Sequence, residues 1–204
     1  VKVIDSLLPG VYKFFDFLLP RICAGCKTAL QDGEQTVCHS CRATMHALPG
    51  ETEQQILMKL QQESGTIHQF RAPYLFDKGD VVQQIIHNFK YRLQYPIGKF
   101  IGTEIHRHLH SRPLPFLPDY IIPVPLHPKR RGERGFNQAA LMAKTLSKLS
   151  GIPCLTGGLK RTRYTPKQAW MKRAERRDNI RGAFTIPSGK NFKGKRIILL
   201  DDVV

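Results

Sequence analysis

The chain has 204 residues, is 41% hydrophobic and carries a formal net charge of +16. That is material for one ordinary domain and a small accessory unit. So lopsided a charge points to phosphates, as polynucleotide or as small polyphosphate, ahead of a merely solubilising basic surface. The excess is also local. Residues 1–75 hold seven Lys/Arg and seven Asp/Glu, leaving 25 of the 32 basic and nine of the 16 acidic residues downstream.

The first segment, LLPGVYKFFDFLLP, is apolar but interrupted by Pro9, Gly10, Lys13, Asp16 and Pro20, which breaks it too often to span a bilayer. It also lacks the ordered charged, apolar and small-residue parts of a secretory signal. A soluble cytoplasmic protein without membrane insertion is expected. Next come Cys23, Cys26, Cys38 and Cys41, two C-x2-C knuckles separated by 11 residues. This spacing lets two thiolate pairs meet on one tetrahedral ion. Disulfides suit poorly a chain without an export signal, and a single dithiol redox pair leaves the other pair unexplained. The expected ion is zinc. Four thiolates leave it no open position, so its role is structural, supplying folding energy to a unit too small for a core of its own. CHSCRATMHAL reads as a short helix opened by Cys38 and Cys41. Residues 1–50 form the expected zinc module, 51–68 a helical connector and 69–204 a larger domain.

In the larger domain APYLFD reads as a short strand. VVQQIIHNFKY follows as an amphipathic helix with Val81, Val82, Ile85, Ile86 and Phe89 on one stripe, then GKFIGTEIHRHL as a second helix. His106, His108 and His110 lie on that second helix without Asp or Glu at metal-ligand spacing, so they read as a solvated face. YIIPVP is a strand closed by prolines, HPKRRGERG a basic loop, and NQAALMAKTLSKLSG a helix ending at glycine. A strand at about 153–156 with Cys154 as core filling, a basic helix at about 166–178 and the apolar run RIILL complete the series. Alternation of this kind predicts an α/β fold, a doubly wound and mainly parallel sheet with helices on both faces, whose ligands bind beyond the carboxyl ends of the strands.

RIILLDDVV sets Asp201 and Asp202 at the end of a buried strand, where a carboxylate pair can accept hydrogen bonds from two vicinal hydroxyls; plain solvation of a strand end competes evenly with that reading. Segment 160–181 holds nine Lys/Arg against Glu175 and Asp178, with Tyr164 and Trp170 interleaved. Rings among cations suit stacked bases and a phosphate backbone; Trp170 as the packing anchor of a mobile loop competes with that reading.

The ordered set FKY at 89–91, IPVPLHPKRRGERGFNQA at 122–139, LKRTRYTPKQ at 159–168, RRDNIRGAF at 176–184 and IILLDDVV at 197–204 resembles the ComF family of bacterial natural transformation. LLDDVV within it resembles the ribose-phosphate signature of type I phosphoribosyltransferases, and the cysteine module fits the same family. The resemblance covers the chain from about Cys23 onward. It implies that Asp201 and Asp202 bind the ribose hydroxyls of phosphoribosyl pyrophosphate, with Mg2+ as a companion ion. Val124, Pro125, Leu126, His127 and Pro128 would form the pyrophosphate loop, with Lys129, Arg130, Arg131 and Arg134 as charge partners. Arg161, Thr162, Gln168 and Arg173 resemble the mobile loop of glutamine-dependent amidophosphoribosyltransferases, and Arg163 and Arg177 belong to the same phosphate- or nucleic-acid-binding segment. Vicinal-diol ligands and Arg/Lys clamps are what displacement at an anomeric carbon uses. In the family a Thr-Thr-Gly turn and a phosphate-cradling helix follow the acidic pair, whereas this sequence stops at Val204; a C-terminally truncated or else a degenerate phosphoribosyltransferase-like domain, in either case without turnover, is therefore expected. The expected partners are phosphoribosyl pyrophosphate, incoming single-stranded DNA and, by family association, a competence helicase. The competing expectation is an active phosphoribosyltransferase with an unidentified acceptor.

Overall fold

The computed structural model describes residues 20–91, 95–165 and 181–203. Cys38 caps helix α1 (His39–Ala43), its sulfur accepting the Cys41 amide. Helix α2 (Gly50–Ser64) starts after Pro49 and carries Glu51 and Glu53 in its first turn, where carboxylates suit the helix dipole. It ends at Gly65, whose φ of 65° is the left-handed stop that glycine adopts cheaply. The strand predicted over APYLFD is a single bridge from Ala47 to Tyr74. Leu48 N–H donates to Pro73 O and Leu75 N–H to His46 O, at 3.2 and 3.0 Å. Pro49 and Pro73 lack the N–H groups that would extend this ladder.

Helix α3 (Val81–Tyr91) buries Val82, Ile85, Ile86 and Phe89, and with them the polar Asn88. Helix α4 (Tyr95–Ser111) packs on α6 (Gln138–Ser150) through two glycines. A Cβ at Gly98 would stand 2.9 Å from Leu141 Cβ, and one at Gly102 only 2.7 Å from Thr145 Cβ and 2.8 Å from the Met142 carbonyl oxygen. The helices approach closer than side chains on both partners would allow. Ahead of α6, the residues predicted as a basic loop form helix α5 (Pro128–Arg134) instead. Pro128 fits the first helical turn, His127 Nδ1 takes the Lys129 amide and Gly135 closes the helix at φ 74°. The helix buries none of its residues, so no apolar period announces it in the sequence.

Strand β1 (Tyr120–Pro123) pairs in parallel with β4 (Ile197–Leu200), Ile121 opposite Ile198 and Pro123 opposite Leu200. On its other side Ile121 bridges Cys154, exchanging bonds of 2.9 Å with Pro153 and Leu155. The predicted strand at 153–156 is thus a short parallel neighbour of β1. A second ladder joins β2 (Lys160–Arg161) to β3 (Phe184–Thr185) in antiparallel register. The described residues therefore form a mixed α/β fold around a small parallel sheet, with fewer strands than the doubly wound sheet predicted. The helix expected at 166–178 lies outside them. Alternation along the strands sends Ile121, Ile198 and Leu200 into a core shared with Phe89, Ile97, Met142 and Leu146, and that core runs on without a break into Cys23, Val37 and Cys41. Leu199, on the opposite face, is 61% exposed beside an apolar cavity of about 1390 Å³. Among the described residues no helix is long and apolar enough to cross a membrane.

Candidate functional site

The four cysteine sulfurs lie within 4.8 Å of one another, and Cys26 Sγ is 3.7 Å from Cys38 Sγ. The edge of a tetrahedron with metal–sulfur bonds of about 2.3 Å is about 3.8 Å, so the four thiolates have the arrangement a single tetrahedral ion requires. Backbone amides point at the sulfurs: Gly25 and Cys38 N–H donate to Cys23 Sγ, both at 3.3 Å, and Cys41 N–H to Cys38 Sγ at 3.4 Å. Between the knuckles the Glu34 carboxylate accepts the Gln31 and His39 amides at 2.8 and 2.7 Å, buckling the loop onto the start of α1. Without an ion Cys26 and Cys41 titrate apart. Hydrogen bonds from Thr28 pull the exposed Cys26 thiol down to about 6, while burial and then the neighbouring thiols push Cys41 up. A divalent cation is the charge that lets all four ionise together.

Two buried carboxylates tie neighbouring helices to α4, Glu104 joining it to α1 and Glu53 joining it to α2, and sequence reading found neither. Glu104 takes bonds from Arg42 of α1, from Tyr74 Oη at 2.6 Å and from Arg107 at 2.5 Å. Burial and then the Glu104 carboxylate push the Tyr74 phenol up. Glu53 of α2 accepts the Ala72 amide at 3.0 Å and stands 2.8 Å from His108 Nε2. His108, predicted on a solvated face with His106 and His110, is turned inward by that carboxylate, its side chain only 12% exposed. An acid in an amphipathic helix signals burial only through its tertiary partners, so no local pattern marked these two residues.

The second site is a cleft of about 250 Å³ beyond the carboxyl ends of β1 and β4. The Val124 amide bonds Leu200 O at 2.8 Å, Asn137 Nδ2 reaches Val124 O at 3.0 Å, and the two strand ends open together. Of the residues predicted for this site, Val124, Pro125, Leu126, Arg130, Arg134, Arg161, Asp201 and Asp202 line the cleft. Lys90 Nζ sits 3.0 Å from Asp202 Oδ2, and the Asp202 amide donates to Asp201 Oδ1 at 2.9 Å. The Asp201 carboxyl is raised to about 6, first by desolvation and then by the Asp202 charge, with Lys90 and Arg161 opposing. Arg161 is lowered, by its own desolvation and then by Arg130. Arg130 donates to Thr165 O at 3.0 Å, and Arg161 to the Thr165 hydroxyl. Arg134 donates to Gln138 Oε1 at 3.2 Å, which fixes the amide so that Nε2 faces away from Arg134. Gln138 Nε2, Arg130 Nε and Arg161 Nε are all buried and, among the described residues, have no hydrogen-bond partner. Those three atoms are covered by protein; what the cleft itself presents is the lining of Lys90, Arg130, Arg134 and Arg161 beside Asp201 and Asp202, cations suited to acceptor oxygens.

His127, Lys129 and Tyr164 form a cluster of their own. The His127 and Tyr164 rings meet edge to face at 5.3 Å, with Lys129 Nζ 5.0 Å and the Arg130 guanidinium 5.7 Å from the Tyr164 ring centre. Thr162 N–H is committed to Ala183 O at 2.9 Å, and Arg163 donates to Arg181 O at 2.8 Å. Pro128 and Arg131 sit in α5 outside the cleft lining, and Gln168, Trp170, Arg173 and Arg177 lie outside the described residues. Lys90, Asn137 and Gln138 line the cleft without having been given a role from sequence, although FKY and GFNQ stand inside the motifs that carry the resemblance.

No family model and no solved structure matches the chain. Curated proteins do. Competence protein F of Haemophilus influenzae is 34% identical over 124 residues, 59% of this chain and 54% of that protein. DNA utilization protein YhgH of Escherichia coli O157:H7 is 32% identical over 123 residues, 59% of this chain and 53% of its own length. The chain thus spans about half the length of these relatives. Competence protein ComFC of Bacillus subtilis is 25% identical over 185 residues, 90% of this chain and 72% of that protein. Together with the four clustered cysteines, these matches bear out the resemblance to the ComF family.

Proposed function

We propose that this protein handles DNA in natural transformation and carries, behind a structural zinc module at residues 1–50 and a connector at 51–68, a phosphoribosyltransferase-like domain at 69–204 that binds phosphoribosyl pyrophosphate. The observation that carries the reading is the cleft, whose lining brings Asp201 and Asp202 together with Lys90, Arg130, Arg134 and Arg161, Lys90 paired with Asp202. A ribose diol and a pyrophosphate are the complement of such a lining. The relatives named for competence and for DNA utilization supply the biological setting. Single-stranded DNA is the proposed macromolecular partner, with Tyr164, His127 and Lys129 as an exposed aromatic and cationic platform beside the cleft.

Phosphoribosyl pyrophosphate at 1 mM is expected to raise the melting temperature of the wild-type chain by several degrees, roughly the effect of a ligand at tens of times its Kd; Asp202→Asn abolishes the rise. No shift in the wild type would refute the sugar-phosphate site. DNA binding is checked by a salt series. The logarithm of affinity should fall steeply with the logarithm of salt concentration, and Lys129→Ala should lessen the slope by about one. A flat response excludes a DNA role for this face.

One observation favours a catalytic reading. With its carboxyl raised to about 6, Asp201 is suited to accept a proton near neutral pH. In that reading the bond from the anomeric carbon to pyrophosphate breaks, a bond to the acceptor nucleophile forms, the departing pyrophosphate keeps the electron pair, and the acceptor's proton passes to Asp201. Release of pyrophosphate dependent on an added amine or hydroxyl acceptor, absent in Asp201→Asn, is its test.

A further inference from the structure

One turn of helix α3 touches both sites described above. Asn88 Nδ2 donates to the Ala24 carbonyl of the first cysteine knuckle at 2.6 Å, with Asn88 5% and Ala24 2% exposed. An amide is a costly occupant of an apolar helix stripe unless its partner is fixed, and here the partner is the knuckle backbone itself. The contact leaves no slack: a Cβ at Gly25 would lie 2.8 Å from Val81 Cγ2 on the same helix and 2.9 Å from Cys41 Sγ. Phe89 follows, fully buried, with its ring 5.7 Å from Phe136. Lys90 comes next and reaches Asp202 across the chain. Tyr91 then lies under the Arg134 guanidinium at 5.8 Å. Residues 88–91 are continuous helix, so a displacement at Asn88 has no flexible joint in which to dissipate before Lys90.

We infer that Asn88 is a positioning residue through which the cysteine module sets the placement of Lys90 against Asp202, so that loosening the module slackens the cleft. The inference needs no ligand for its main readouts. Only its last readout rests on the anion-site reading given above.

The test compares zinc-loaded wild type, Asn88→Ala, Lys90→Ala and the double variant by zinc content, hydrogen exchange over α3, carboxyl-carbon NMR titration of Asp201, and binding of inorganic pyrophosphate. Asp201 faces Asp202, Lys90 and Arg161, so withdrawal of Lys90 moves its titration midpoint upward, which a purely structural defect at the knuckle would not do. Asn88→Ala is expected to keep about one zinc per chain, to raise the Asp201 midpoint in the same direction as Lys90→Ala, and to weaken pyrophosphate roughly three- to tenfold. The double variant should add little to Lys90→Ala. An Asp201 midpoint that stays at its wild-type value in Asn88→Ala, while Lys90→Ala moves it, overturns the inference. If the midpoint moves but neither variant alters pyrophosphate binding, the coupling stands and the anion-site reading fails. Should Asn88→Ala fold poorly, chelating zinc from the wild type at moderate temperature provides the same comparison: faster exchange at residues 86–91 and a raised Asp201 midpoint support the inference, and exchange confined to residues 23–43 refutes it.

Discussion

Asp201 ionises against the combined opposition of burial and the Asp202 charge, which Lys90 and Arg161 only partly offset. Its carboxyl stands near 6 in the folded chain against about 3.9 in an unfolded one, and the sign of the stability effect follows. Between those values the folded state binds more protons than the unfolded state, so the carboxyl is least costly to the fold below about pH 4 and stability falls as pH rises through 6. The nominal penalty is about 3 kcal/mol, but Asp201 remains exposed at the cleft mouth, and solvent screening leaves about 1 kcal/mol. Asp201→Asn is therefore expected to stabilise the protein by about 1 kcal/mol at pH 7 and by nothing at pH 4, as read from urea denaturation at the two pH values. Equal effects at both would show that the carboxyl is not held up. The acid pair was legible in the sequence because carboxylates break the apolar run RIILL. The raised carboxyl of Asp201 was not, because it comes first from burial in a cleft to which Lys90, Arg130 and Arg161 contribute from three other segments.

Helices α4 and α6 show how much an element can depend on what is missing from it. Gly102 lies inside a helix, where alanine would ordinarily gain about 1 kcal/mol in propensity. The space is taken by Thr145 Cβ at 2.7 Å and by the Met142 carbonyl oxygen at 2.8 Å, and that oxygen belongs to backbone that cannot rotate away. Gly102→Ala should cost about 2 kcal/mol net through helix separation, measured as a lower urea midpoint with unchanged slope. A gain in stability would mean that the two helices part easily. Helices α3, α4 and α6 were all legible, since each shows an apolar stripe at helical spacing. Helix α5 was not, because Lys129, Arg130 and Arg131 hide it and its stability comes from Pro128, the His127 cap and Gly135. The expected strand over APYLFD failed for a neighbouring reason: its residues have strand propensity, but its partner segment ends at a proline.

At the scale of the molecule the cysteine knuckles and the larger domain share one hydrophobic core, with Cys23, Val37 and Cys41 in contact continuity with Ile85, Phe89 and Ile97. The knuckle spacing fixed the metal geometry in advance, since two close pairs need only a loop to meet. The seating of the module did not show in the sequence, because it rests on Asn88 and Glu104, polar residues whose partners Ala24 and Arg42 are far along the chain. A strong chelator should accordingly lower the melting temperature of the whole protein by about 10 °C or more in one calorimetric transition. Two transitions, the upper one unmoved, would show the module to be thermally independent.

The parallel pairing of β1 with β4 also sets an order of events. Asp119 accepts the Arg196 amide across 77 residues of sequence, and the paired strands lie directly beyond that bond. Closing so long a loop is entropically expensive and is deferred until local structure has formed. Helices and knuckles can assemble from near neighbours, whereas the acid pair reaches Lys90 only when β4 docks. In a refolding experiment, helical signal should therefore recover well before β-sheet signal and any pyrophosphate binding at the proposed site, and the interval between them times the docking of a single strand.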